Sequence, residues 1–216
     1  MMHGINVRRG ILLLALASLP LAAPREAIAS PAGVGVIEKM ERTVTSTRSG
    51  SEAELSPGSK IFASDIIRTG QIGYALVRLM DDTVIEMAPN SEISIVDVTF
   101  TAGRARLQLG IDRGRARVRT GSIGLKNSRG IDITTPKNLF ILSNCILYFT
   151  VEPEWETVDV EWMPPGPFIS VFNAGTGNVF RVEEQRVTLV TNSENEVSIE
   201  AMPDPDDEGA ADPEEE

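Results

Sequence analysis

The chain has 216 residues, 42% hydrophobic and 24% charged, with a formal net charge of −11, enough to bury one sizeable core in a single domain. It has one histidine, His3, and one cysteine, Cys145. His3 falls in a predicted leader, which excludes Ser-His-Asp and Cys-His pairs and histidine-based zinc sites from the mature chain, and a lone cysteine excludes an intramolecular disulfide.

"MMHGINVRRG" supplies a basic start, "ILLLALASLPLAA" a short apolar run broken by Pro20, and "AIAS" small residues at Ala27 and Ala29. This is the pattern of a secretory signal peptide over residues 1–29. The run is shorter than the roughly 20 residues of a spanning helix. No later stretch approaches that length, and no cysteine stands at the cleavage point. The expectation is therefore an exported protein, periplasmic or secreted, with no membrane span and no lipid anchor.

From Gly33 to Ala201, short runs rich in Val, Ile and Thr alternate with Gly, Pro, Asn and Asp turns. That texture predicts an all-β fold over residues 33–201: a single elongated domain built as a two-layer β-sandwich or a lobed β-solenoid. Alternation marks half-buried strands. In "SEISIV", Ile93 and Ile95 oppose Glu92 and Ser94. In "DRGRARVRTG", Arg113, Arg115, Arg117 and Arg119 oppose Gly114, Ala116 and Val118. In "ETVDVEW", Val158, Val160 and Trp162 oppose Asp159 and Glu161. "MPPGP" at 163–167 predicts a kink or an edge. Cys145, inside "FILSNCILYFT", reads as a buried, inert thiol.

Asp81 and Asp82 stand between two alternating apolar runs: Ala75, Val77 and Leu79 before them, Ile85 and Met87 after. Asp tolerates turn backbone and bonds to it locally, so "LMDDTV" predicts a strand, a two-residue corner and a strand. Catalytic carboxylates face each other across a substrate, whereas adjacent residues on one strand point apart. Asp65, Asp81, Asp82 and Asp112 fit no recognised calcium spacing. No catalytic residue, metal site or cofactor is predicted.

"LSPGSKIFASDIIRTGQIGYALVRLMDDTVIEMAPNSEISI" resembles the core of the FecR domain family: a Gly before a strand, D-x-I-x-T-G, an alternating strand, a D-G-S corner and an apolar strand. The positions are Gly58, Asp65, Ile67, Thr69, Gly70, Ala75, Val77, Leu79, Asp82 and Thr83. The similarity extends to "GVGVIEKM" at 33–40, "LQLGIDRGRARV" at 107–118 and "ITTPKNLFIL" at 133–142. Two departures stand out. The corner glycine falls on Asp81 or Thr83, and "SNCILYF" lacks the Arg and Gly that relatives carry after "TP". The resemblance implies structural roles for Gly58, Asp65, Thr69, Gly70, Asp81 and Asp82. It also implies an exported binding or sensor module linked to transport or signalling, here without the cytoplasmic sigma-binding segment and spanning helix of iron-uptake regulators.

"GRARLQLGIDRGRARVRTG" holds Arg104, Arg106, Arg113, Arg115, Arg117 and Arg119. They read either as a solvated face paired with acids across the sheet or as an anion-binding stripe. The partners expected from the second reading are an envelope protein, an anionic glycan or a lipid. Nucleic acid is not expected, since the body is mildly acidic and few aromatics interleave. Two other readings remain at this level. One is a structural subunit of an envelope assembly. The other is a glycan hydrolase built on Glu152, Glu154 and Glu156 around Trp155. Residues 202–216 end in "PDPDDEGAADPEEE", with eight acids and no base, and predict a disordered tail.

Overall fold

The computed structural model describes residues 32–101 and 104–202. The predicted leader and the predicted tail beyond Met202 lie outside them. The strands run in chain order as β1 (Gly35–Glu41), β2 (Val44–Arg48), β3 (Ser51–Glu54), β4 (Lys60–Ile61), β5 (Ile66–Thr69), β6 (Tyr74–Leu79), β7 (Val84–Met87), β8 (Glu92–Thr101) and β9 (Arg104–Arg119). A short helix, α1 (Ser122–Lys126), follows. Then come β10 (Ile131–Thr134), β11 (Asn138–Leu142), β12 (Ile146–Val151), β13 (Glu156–Trp162), β14 (Ile169–Asn173), β15 (Val179–Val182), β16 (Val187–Thr191) and β17 (Val197–Ala201). Among the described residues the fold is all-β apart from that one helix.

All 17 strands belong to one hydrogen-bonded network, which folds into two layers and does not close into a barrel. The first layer runs β4-β1-β6-β7-β9-β12-β13-β16-β17. The second runs β3-β2-β5-β8-β9-β10-β11-β14-β15. The β9–β10 pairing is parallel and the others are antiparallel, so the sheet is mixed. After β9 the chain lays down hairpins in turn: β10–β11 in the second layer, β12–β13 in the first, β14–β15 in the second and β16–β17 in the first. Each hairpin pairs with the one before it in its own layer, which is how a lobed stack grows.

β9 belongs to both layers. Its residues up to Arg113 pair with β8, and from Gly114 onward it pairs with β7 and β12. The hinge is a bulge: the register skips Asp112 between Ile111 and Arg113, and Gly114 takes φ +81°. A Cβ at Gly114 would lie 2.6 Å from the Cα of Ser91, so both backbone angle and space demand glycine. Inward faces of the two layers merge in one core that holds Val77, Val118 and Phe149 from the first and Ile93, Leu109 and Phe140 from the second. Phe140 and Phe149 meet edge to face across the layers, with centroids 5.5 Å apart.

The carboxylate corner closes the β6–β7 hairpin. Asp82 N–H donates to the Leu79 carbonyl at 3.0 Å and Leu79 N–H to the Thr83 carbonyl at 2.9 Å, which leaves a loop of Met80, Asp81 and Asp82. This is one residue longer than the predicted corner. Asp82 adopts φ +66°, the left-handed position that ends a three-residue hairpin loop. The residue in glycine's conformation is thus Asp82, not Asp81 or Thr83. Asp81 is buried and accepts from Thr83 N–H at 3.1 Å and from Thr83 Oγ1 at 2.8 Å. Thr83 Oγ1 in turn accepts from Gly121 N–H at 2.9 Å, tying the corner to the end of β9.

Candidate functional site

The six motif residues are joints of the scaffold. Asp65 is fully buried, and its carboxylate accepts from the Arg48 guanidinium and from Phe62 N–H, while that guanidinium stacks on the Phe62 ring at 3.7 Å. Thr69 Oγ1 donates to the Ala88 carbonyl at 2.7 Å and accepts from Ser91 N–H at 2.9 Å. Gly70 N–H donates to the Thr43 carbonyl, and Gly58 turns at φ +85°. These contacts, with the Asp81–Asp82 corner, fix strand ends, and of the six only the exposed Asp82 side chain lines a groove.

The carboxylates around Trp155 separate. Glu156 is buried and accepts from Thr135 Oγ1, from Lys137 N–H at 2.9 Å and from Asn138 Nδ2 at 3.0 Å. Asn138 also donates to Thr191 Oγ1 at 2.9 Å and accepts from Asn173 Nδ2 at 3.0 Å. Glu156 is therefore the hub that joins β11, β13, β14 and β16. Glu152 lines an open groove, and Glu154 is exposed. The three acids share no catalytic point. Among the described residues, no group of three or more His, Cys, Asp or Glu side chains could hold a metal ion. Cys145 is buried, and desolvation pushes its thiol up to about 12.

The arginine row divides at the β9 bulge. Arg104 and Arg106 lie on the outer side of the second layer, and Arg115, Arg117 and Arg119 on the outer side of the first, with Arg113 at the hinge between them. Three of the six are paired with acids. Arg106 meets Asp132, and Arg113 meets Glu92 at 3.3 Å. Arg117 meets Glu86 at 3.2 Å and Glu161 at 2.8 Å. The hydrogen bond that Arg117 donates to Glu161 is the main cause that holds its guanidinium protonated even more firmly than usual. Arg104, Arg115 and Arg119 carry no ion pair among the described residues.

Strand pairing brings aromatic side chains to the first-layer arginines. β12 and β13 lie beside β9 in that layer, with Tyr148 opposite Arg117 and Thr150 opposite Arg115. Alternation alone puts Trp162 on the inner face, with Val158 and Val160. A register shift opposite Ile146–Leu147 turns it outward, 42% exposed. At the hinge end of the first-layer half of β9, a groove of about 930 Å³ holds Arg113, Arg115, Gln71, Asn90, Glu152 and Trp155. At the other end, a groove of about 330 Å³ holds Arg119, Leu125, Asp82 and Trp162. Tyr148 and Trp162 escaped the sequence reading. The repeated Glu-Trp at 154–155 and 161–162 was the visible trace of the pair.

Comparison with known proteins agrees with this layout. No curated protein matches the chain. Two crystal structures, at 1.65 and 2.50 Å, of a protein from Parabacteroides distasonis ATCC 8503 described as a "putative anti-sigma factor" are similar in fold, each with TM-score 0.50 at 15% identity. The likeness covers 63% of this chain and 59% of that one, so this chain spans less than two thirds of the relative's length. Residues 65–139 match the family described as FecR protein, from the buried Asp65 before β5 to the start of β11.

Proposed function

We propose that this chain is a non-enzymatic, exported binding module of the FecR type, which docks on a component of the cell envelope and serves signalling or transport there. The observation that carries this reading is the outer face of the first layer: an open groove with a guanidinium outside any ion pair and an exposed indole at each end of the first-layer half of β9. Of the acids that could have served hydrolysis, Asp65 and Asp81 are spent at corners and Glu156 in a buried network, which leaves Glu152 and Glu154 on the surface without Glu156. Similarity to an anti-sigma factor fold supports a signalling context. The predicted leader supports a place outside the cytoplasm, which cell fractionation tests directly. Crosslinking in intact envelopes, followed by identification of what is captured, tests the docking. A specific partner lost on substitution of the groove residues is the expected result, and an empty capture overturns it.

One observation favours a second reading, a subunit of an envelope assembly. β3, β4, β15 and β17 each have one unpaired edge among the described strands, and such edges invite strand addition. Light scattering that finds ordered oligomers would support it, and a strict monomer at high concentration would retire it.

A further inference from the structure

The geometry points to a ligand class for this face: an extended glycan chain in which acidic sugars are spaced by neutral ones, lying along β9 across β12 and β13. This inference rests on the docking reading above and names what the face would hold.

Three features carry it. First, the two indoles are placed in the same way at opposite ends of one strand. Trp155 precedes β13 and Trp162 ends it, each exposed and each lining a groove with a guanidinium that has no acid partner. At about 3.3 Å per residue, the indoles lie about 20 Å apart along the strand. That length suits a chain of several rings rather than one small ligand. Second, the groove chemistry is that of a sugar site. An aromatic face stacks on the apolar side of a ring, the Gln71 and Asn90 amides and the Thr150 hydroxyl answer ring hydroxyls, and Arg115 offers a planar fork to a carboxylate.

Third, the middle of the face excludes a uniform polyanion. Arg117 is already neutralised by Glu86 and Glu161, and Asp159 stands opposite Tyr148 on β13. A carboxylate placed there would meet acids, whereas a neutral ring would meet the Tyr148 phenol and fixed polar groups. The face therefore offers a guanidinium outside any ion pair at each end, Arg115 in the groove that also holds Glu152 and Arg119 in the groove that also holds Asp82, and none in the middle, and its partner has the complementary order. An acidic peptide or a polyphosphate carries charge without that gap and offers no ring to the indoles.

Affinity electrophoresis of the full chain tests this. Hyaluronan, which alternates acidic and neutral sugars, is the probe; dextran is the neutral control and polyglutamate the uniform polyanion. Hyaluronan is expected to retard the chain and to change the emission of its two tryptophans, with dextran and polyglutamate without effect. Trp155→Ala and Trp162→Ala should each weaken retardation about three- to tenfold, and Arg115→Ala and Arg119→Ala about tenfold. Arg104→Ala, on the other layer, should change nothing.

Absence of retardation by hyaluronan overturns the inference. So does equal retardation by dextran or polyglutamate, or an effect of Arg104→Ala as large as that of Arg115→Ala. Envelope crosslinking with the double tryptophan variant separates this from the docking reading. If the variant still captures its partner while hyaluronan has no effect on the parent, docking stands and the glycan falls. If hyaluronan binds and nothing is captured, the reverse holds.

Discussion

Asp82 shows how one side chain can depart from a family pattern and keep the backbone that the pattern encodes. The left-handed conformation costs an ordinary residue roughly 1–2 kcal/mol, less for Asp, whose short polar side chain bonds locally. Glycine takes the same angles without strain. Asp82→Gly is expected to stabilise the chain by about 0.5–1 kcal/mol in denaturant unfolding, since the side chain is exposed and its contact with Arg78, at 3.9 Å, is weak. Asp81→Ala has the opposite sign: it strands two buried donors and should cost about 1–3 kcal/mol. Cys145 gives a pH-dependent counterpart. Burial holds its thiol protonated up to about 12, against an ordinary 9.0, so between those values the folded chain binds a proton that the unfolded chain has released. Stability therefore falls as pH rises through that window. Relative to Cys145→Ala, the parent chain should lose stability from pH 9 upward. The native thiol should also resist alkylation at pH 8 and react freely in denaturant.

Strands were the most legible level of the sequence, because period-two burial leaves its trace in residue order. Ile93 and Ile95 face inward, as their alternation requires, and so do Ala116 and Val118. Legibility fails where the register slips. Residues on either side of a bulge look continuous in sequence, yet the bulge at 112–114 sends Arg106 and Arg115 to opposite outer faces, and the one at the end of β13 brings Trp162 to the surface. The grooves were illegible for a related reason. One joins β9 to the β12–β13 loop and the other joins it to the end of β13 and the Asp82 corner, and neither meeting has a local signature. The hinge itself can be tested. Gly114→Ala meets an unfavourable φ and a backbone contact at 2.6 Å, and should destabilise by about 2–4 kcal/mol, beyond the roughly 1 kcal/mol of the angle alone. A loss under 0.5 kcal/mol would show that β9 can bend elsewhere.

At the scale of the whole molecule, the alternating hairpins have an energetic consequence. In a stack where each unit rests mainly on its neighbours, stability divides into unit and interface contributions, and damage stays local. Glu156 is the point at which to probe this, because it binds β11, β13, β14 and β16 through Asn138, Asn173 and Thr191, all on the C-terminal side of the β9 hinge. Glu156→Ala leaves the Thr135 hydroxyl, the Lys137 amide and the Asn138 amide without their acceptor in a buried setting, a cost of about 3 kcal/mol or more. The hairpins from β13 to β17 should then lose hydrogen-exchange protection, while β5 to β8, held by Asp65, Thr69 and the core around Ile67 and Ile93, keep theirs. The mirror change, Asp65→Ala, should loosen β2 to β5 first. If either substitution lowered protection evenly across all strands, the parts before and after the β9 hinge would be one cooperative unit. Growth hairpin by hairpin would then describe the path of the chain and not the distribution of its stability.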